Sequence, residues 1–189
     1  MRIPRFLLPA MLLAAVPAAA DQEAANMPVV RSSEHGRVYA RSIPFGSYGT
    51  EGITRVYSVG EEVDTLIGEY DWYADDIYLG GSEDATLVRF GPWHQGSEPR
   101  EEDLALGIYR DGITVAEYST LDLYGMDSGI LPSVSHYMVF NDRPGFSWFD
   151  EYGWVFQVEG VSGRVFTFEL ETGEVTDMSD HAGPSGPSR

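Results

Sequence analysis

Two histidines stand where an imidazole could do chemistry. His136 lies in LPSVSHYMVF and His94 in RFGPWHQG. Imidazole is the side chain whose unperturbed titration falls near neutrality, and it is the commonest metal ligand. With Asp122 as the third donor, the pair could hold zinc or iron with open positions. The spacing argues otherwise, because 41 residues separate them and no His-x-x-x-His pair occurs. Strict alternation along SVSHYMVF puts Val134, His136, Met138 and Phe140 on one side, with Ser133, Ser135, Tyr137 and Val139 on the other. His136 travels with the apolar set, so we expect a core histidine bonded to a carbonyl or carboxylate. His94 follows Pro92 and Trp93 in a turn, where a side chain is more available to a ligand.

Nucleophilic catalysis has no motif. GMDSG carries its serine in the fourth place and GFSWF lacks a closing glycine, so neither is a G-x-S-x-G turn. Carboxylates are too numerous to single out. DWYADD sets Asp75 and Asp76 near Trp72, and a glycosidase needs one carboxyl raised by such an apolar wall. Acids capping turns explain the same stretch, and SEPREED reads as a solvated turn. The aromatic set Trp93, Tyr109, Tyr118, Tyr137, Trp148, Trp154, Phe156 and Phe166 is mostly expected in the core. Trp72 and Trp93, beside turns, are expected to be exposed. The binding candidates are therefore Trp72, Trp93, His94, Asp122, His136 and Tyr137. No catalytic residue, metal ligand or cofactor is assigned.

The elements that must position these residues read as short strands. RVYARSI alternates, with Val38, Ala40 and Ser42 on one side. ITRVYSV, VDTLIGEY, DIYL, ATLVRF, LALGIYR, ITVAEYS, SHYMVF, FSWF, WVFQVE and RVFTFEL follow, all rich in β-branched and aromatic residues. Asp111-Gly112, GVSG and ETG mark tight hairpins. TLDLY, Thr120 to Tyr124, is the best candidate for a helical turn. The expectation is an all-β single domain, an antiparallel meander of about eleven strands, propeller-like or a β-sandwich. A small complete β-propeller ranks second, since eleven strands give too few four-stranded blades.

Residues 1–20 read as a signal peptide. Arg2 and Arg5 precede an apolar run that ends at small residues, and Pro9 and Pro17 break it before membrane-spanning length. Residues 21–33 are expected to be a flexible lead-in, 34–178 the β domain and 179–189 a disordered tail rich in Gly, Pro and Ser. The chain has no cysteine, which excludes disulfides, thiol catalysis and thiolate zinc sites. All twelve basic residues are arginine, which excludes lysine Schiff bases and phosphate-loop lysines. The formal charge is −18, and cleavage after Ala20 leaves 10 basic against 30 acidic residues, or −20. Such a surface repels nucleic acid and anionic lipid.

The order VRFGPW, DLALGIYRDG, EYSTLDL, SVSHY, TFELETGEV resembles a group of bacterial exported proteins with no assigned activity. The resemblance spans about residues 36 to 176 and implies an exported β-rich domain. The expected function is an exported, non-catalytic binding or scaffold domain of the bacterial envelope, periplasmic or secreted. Its partner would be a protein or glycan, with a divalent cation as a further candidate and no membrane insertion. The alternatives are an envelope hydrolase acting on glycans or esters, or a metal-binding protein using His94 and His136.

Overall fold

The computed structural model describes residues 23–80, 85–96, 98–125, 130–132, 136–141, 144–150 and 153–180. The expected signal segment, and the tail beyond residue 180, lie outside the described residues. The architecture is all-β and antiparallel. The first sheet is a meander of β1 (Val29–Ser32), β2 (Val38–Pro44), β3 (Gly52–Ser58) and β4 (Thr65–Tyr70). The middle sheet holds β5 (Ile77–Gly80), β6 (Thr86–Phe90), β8 (Leu104–Arg110) and β9 (Ile113–Ser119), in that order. Between β6 and β8 the chain leaves to form β7 (His94–Gln95), which pairs with β11 (His136–Met138) and, beyond it, β10 (Leu131–Pro132). The last sheet is a second unbroken meander: β12 (Gly145–Phe149), β13 (Gly153–Glu159), β14 (Arg164–Glu169) and β15 (Val175–Asp180).

The three large sheets stack in series because the middle one is apolar on both faces. In β6, Leu87 faces a core shared with the first sheet and Val88 a core shared with the last. Their cross-strand partners Tyr109 and Ile108 divide the same way. All four are at most 1% exposed. The first sheet buries one face only: Val38, Ala40 and Ser42 are buried, as alternation along β2 predicts. A closed propeller would bring the first and last sheets into one core, but their buried residues belong to separate clusters. The propeller-like reading therefore holds as a stack of blade-like sheets.

The hairpin signals are met. Asp111 and Gly112 take φ of 52° and 79°, Gly163 takes 83° and Gly173 takes 80°, the left-handed region that tight turns demand. Helix α1 (Thr120–Tyr124) forms where TLDLY predicts it. No helix among the described residues is long and apolar enough to cross a membrane.

Three expectations change. Among the described residues fifteen strands replace about eleven, the additions being β1, β7, β10 and β15. The segment expected to be a flexible lead-in contains β1, an edge strand in full register with β2. The Asn26 amide fixes it further, donating to the Gly49 carbonyl at 2.8 Å. Trp148 and Trp154, expected in the core, pair across β12 and β13 at 59% and 44% exposure. They occupy the far end of the face whose centre is Phe156, beyond the reach of the middle sheet.

Candidate functional site

The two histidines converge because β7 and β11 pair. The register sets His94 opposite Tyr137 and Gln95 opposite His136. His94 stacks on Tyr137, with ring centroids 4.8 Å apart and planes inclined 13°. Trp93, the residue before β7, lies against His136, the residue before Tyr137, at 3.8 Å. The small sheet thus carries two aromatic–imidazole pairs side by side.

His94, His136 and Tyr137 are buried, while Trp93 remains 36% exposed. Alternation along the strand puts Met138 on the His136 side. Met138 is instead 43% exposed, and Tyr137 is buried beside His136. The short strand is enclosed on both faces at its first two residues, so parity does not sort them. Residues 133–135, which would extend the test, lie outside the described residues.

The polar atoms of this cluster have partners inside the fold. The His94 ring hydrogen-bonds to the backbone of Leu104, and burial holds its pKa below the ordinary histidine value. Asp103 and the Leu104 bond act in the opposite direction, and Arg100 adds to the lowering. Gly91 makes this approach possible: a Cβ there would overlap the Leu104 carbonyl and come within 3.0 Å of the His94 ring. The Tyr137 hydroxyl donates to Asp103 at 2.8 Å. Burial pushes its pKa up to about 12, with Asp103 adding and Thr120 opposing.

The acid of this site is therefore Asp103, from the end of the stretch read as a solvated turn. Asp122, the sequence candidate, is elsewhere. Its carboxylate accepts from the Ser119 backbone and hydroxyl at 2.8 and 2.7 Å, closing a capping box on α1. The sequence signal for Asp103 is its position one residue before LALGIYR, where a short acid can tie a loop to a strand start.

A second polar group lies beside the small sheet. Arg89 points from β6 toward the first sheet and donates to the Tyr109 hydroxyl at 2.7 Å and to Glu117 at 3.3 Å. Tyr109 in turn donates to Glu117. The guanidinium sits 4.0 Å above the Trp72 ring, a cation–π contact in a partly desolvated place. Tyr70 stacks on Trp72 at 5.1 Å and 20°. Trp72 is therefore half-buried and built into the seam between sheets. Its ring packs on Tyr70, Tyr109 and Arg89.

These parts wall two adjoining chambers. The first, about 580 Å³, is lined by Asp75, Asp76, Trp93, His136, Tyr137 and Phe140, among others. The second, about 700 Å³, includes Tyr48, Trp72, Trp93, Arg100 and Glu117. Arg89, Trp93 and His94 border both. Both volumes fall within the ~300–1,000 Å³ of small-molecule sites. Of the six sequence candidates, five line this cleft and Asp122 does not. Tyr48, 53% exposed on the β2–β3 loop, was not among them. Its loop reads only as a glycine-rich turn.

Among the described residues no group of three His, Asp or Glu side chains is placed to hold a metal ion. The hydroxyl and imidazole pairings above are all internal to the fold, and none joins a serine or threonine nucleophile to a histidine base. No known family model, curated protein or solved structure matches the chain.

Proposed function

We propose that this protein is an exported, non-catalytic binding domain of the bacterial envelope, and that its ligand enters the cleft centred on Trp93. One observation carries the reading. Trp93, His94, His136 and Tyr137, from segments far apart in the chain, meet on a single concave surface with the Trp93 ring left partly open. Trp148 and Trp154 are more exposed than Trp93, but neither lines this cleft. A concave, aromatic site with a few fixed polar groups is the ordinary form of a ligand site. The apolar run at residues 6–16, preceded by Arg2 and Arg5 and ending at small residues, supports export, and the absence of cysteine suits a bacterial envelope better than a eukaryotic secretory route.

The test is a two-dimensional NMR titration of the chain with the low-molecular-mass fraction of a bacterial envelope digest. The four tryptophan indole N–H signals serve as reporters. The expected result is a saturable shift of the Trp93 signal with Trp148 and Trp154 unmoved. A shift confined to Trp148 and Trp154, or none at any indole, overturns the assignment of the cleft. Export is tested separately, by N-terminal sequencing of the protein from a periplasmic fraction, where a first residue of Asp21 is expected.

A further inference from the structure

We infer that the ligand class is a neutral oligosaccharide, lying across Trp93 with sugar units in both chambers. The inference rests on the cleft being the binding site and specifies what it takes.

Charge disfavours the ionic classes in the larger chamber. The two arginines of the larger chamber are already engaged. Arg89 is held by Tyr109 and Glu117, and Arg100 by Glu102, Asp103 and the Gln95 carbonyl. An anionic ligand would have to break one of these pairs inside a chain of formal charge −18. An organic cation meets the opposite obstacle. The Trp72 face that would receive it already carries the Arg89 guanidinium at 4.0 Å, and a second positive charge there is repelled. The smaller chamber mixes Arg31 with Asp75 and Asp76, so it presents both signs.

The rings then select among neutral ligands. A pyranose offers an apolar C–H face to an aromatic ring and hydroxyls around its rim. Trp93 offers a ring backed by His136, and Tyr48, on the β2–β3 loop of the first sheet, lines the same larger chamber. A platform whose back face is already packed loses little freedom on binding. Carboxylates such as Glu23 and Asp75, and the Asn141 amide, are suited to sugar hydroxyls. A purely apolar ligand would strand those groups without water. Because Trp93 borders both chambers, a chain of sugar units fits the cleft better than one compact molecule.

The test is calorimetric titration of the full chain with neutral tetrasaccharides of glucose, N-acetylglucosamine, mannose and galactose. Tetragalacturonate and tetramethylammonium are the charged controls. At least one neutral tetrasaccharide should bind, with affinity unchanged between about 0.05 and 0.5 M salt. Trp93→Ala and, independently, Tyr48→Ala should each weaken it about tenfold, the scale of one aromatic contact. Trp93→Phe should recover part of the loss. Circular dichroism and melting of each variant check that the fold is kept. Salt-sensitive binding of either charged control in preference to every neutral sugar overturns the sugar class while leaving the cleft as the site. Sugar binding indifferent to both substitutions overturns the placement across Trp93. Failure of every tetrasaccharide overturns the inference, and if the Trp93 indole also ignores the envelope digest, the binding role falls with it.

Discussion

The Trp93 indole lies on the His136 imidazole, centroids 3.8 Å apart and planes inclined 31°. His136 is 5% exposed and Trp93 is 36% exposed, so the buried ring orients the open one. A histidine that sequence assigns to the core is in the core, and from there it fixes the wall of the cleft. His136→Ala should therefore free Trp93. Acrylamide quenching of tryptophan emission should rise, and urea unfolding should show a loss of about 1 kcal/mol from the missing ring contact. Unchanged quenching would mean that the Trp93 backbone, and not His136, sets the ring.

Phe156 ties the last sheet to the middle one. It is fully buried and meets Tyr78, Phe90 and Phe146 at centroid distances of 5.7, 6.2 and 5.1 Å. Phe156→Ala should cost about 3–5 kcal/mol in urea unfolding, the range for a large ring removed from a packed core. A loss below about 1 kcal/mol would show that the sheets close over the space.

Gly107 lies under the Tyr109 ring in β8. A Cβ added there would collide with the Tyr109 hydroxyl and ring. Gly107→Ala should push Tyr109 off Arg89 and Glu117, leaving a buried guanidinium without part of its shell, at about 1–3 kcal/mol. The urea midpoint measures the loss. Tyr109→Phe should reproduce much of it if the hydrogen-bond chain, and not ring crowding, is what matters.

Burial lowers the His94 pKa, which fixes the sign of a pH effect. The unfolded chain takes a proton near the ordinary histidine pKa while the folded chain still refuses it. The stability contributed by neutral His94 is complete above that value and is lost as pH falls through the folded pKa. The stability difference between the wild type and His94→Gln should therefore shrink on going from neutral to mildly acidic buffer. Equal slopes for the two proteins would remove His94 from the account.

Two tyrosines report the alkaline side. Burial pushes Tyr124 and Tyr137 up to about 12. Groups with raised pKa contribute stability that is full below the unfolded value, near 10, and is lost as pH rises through the folded one. Tyrosinate absorbance should rise in two stages, exposed phenols first and the buried ones, Tyr109 with these two, only as the strands melt. Tyr137→Phe should lower the amplitude of the second stage.

The strands were legible where the signal is local. Alternation in RVYARSI marks a sheet with one wet face, and the turn residues Asp111 and Gly112 mark their own hairpin. The middle sheet is legible in LVRF, where Leu87 and Val88 put apolar side chains on both faces, although that alone does not say which sheet covers each side. β7 and β10 have two residues each, too few for any period, and β1, an exposed edge of four residues, shows no alternation. The site was legible in its residue types but not in its assembly. That His94 meets Tyr137 and Asp103, and not Asp122, depends on how β7 docks on β11. No spacing along the chain encodes that docking.

The seams of the stack are unequal. Among the described residues no backbone hydrogen bond joins a strand of the first sheet to a strand of the middle one, where side-chain packing and the Tyr70–Gly112 bond hold the interface. On the other side Arg110 donates to the Leu170 carbonyl and the Tyr118 hydroxyl to that of Gly173, and the segment after β11 adds backbone bonds of its own to the last sheet, Asn141 with Glu159 and Val161 with Val139, beside the Phe140–Gly160 bridge. Pulled from its ends, the molecule should part at the first seam and carry the second as a latched unit. Tyr48 would leave with the first sheet while Trp93 stays behind. The larger chamber would come apart at that seam, and a molecule held by both Tyr48 and Trp93 would be released before either half had unfolded.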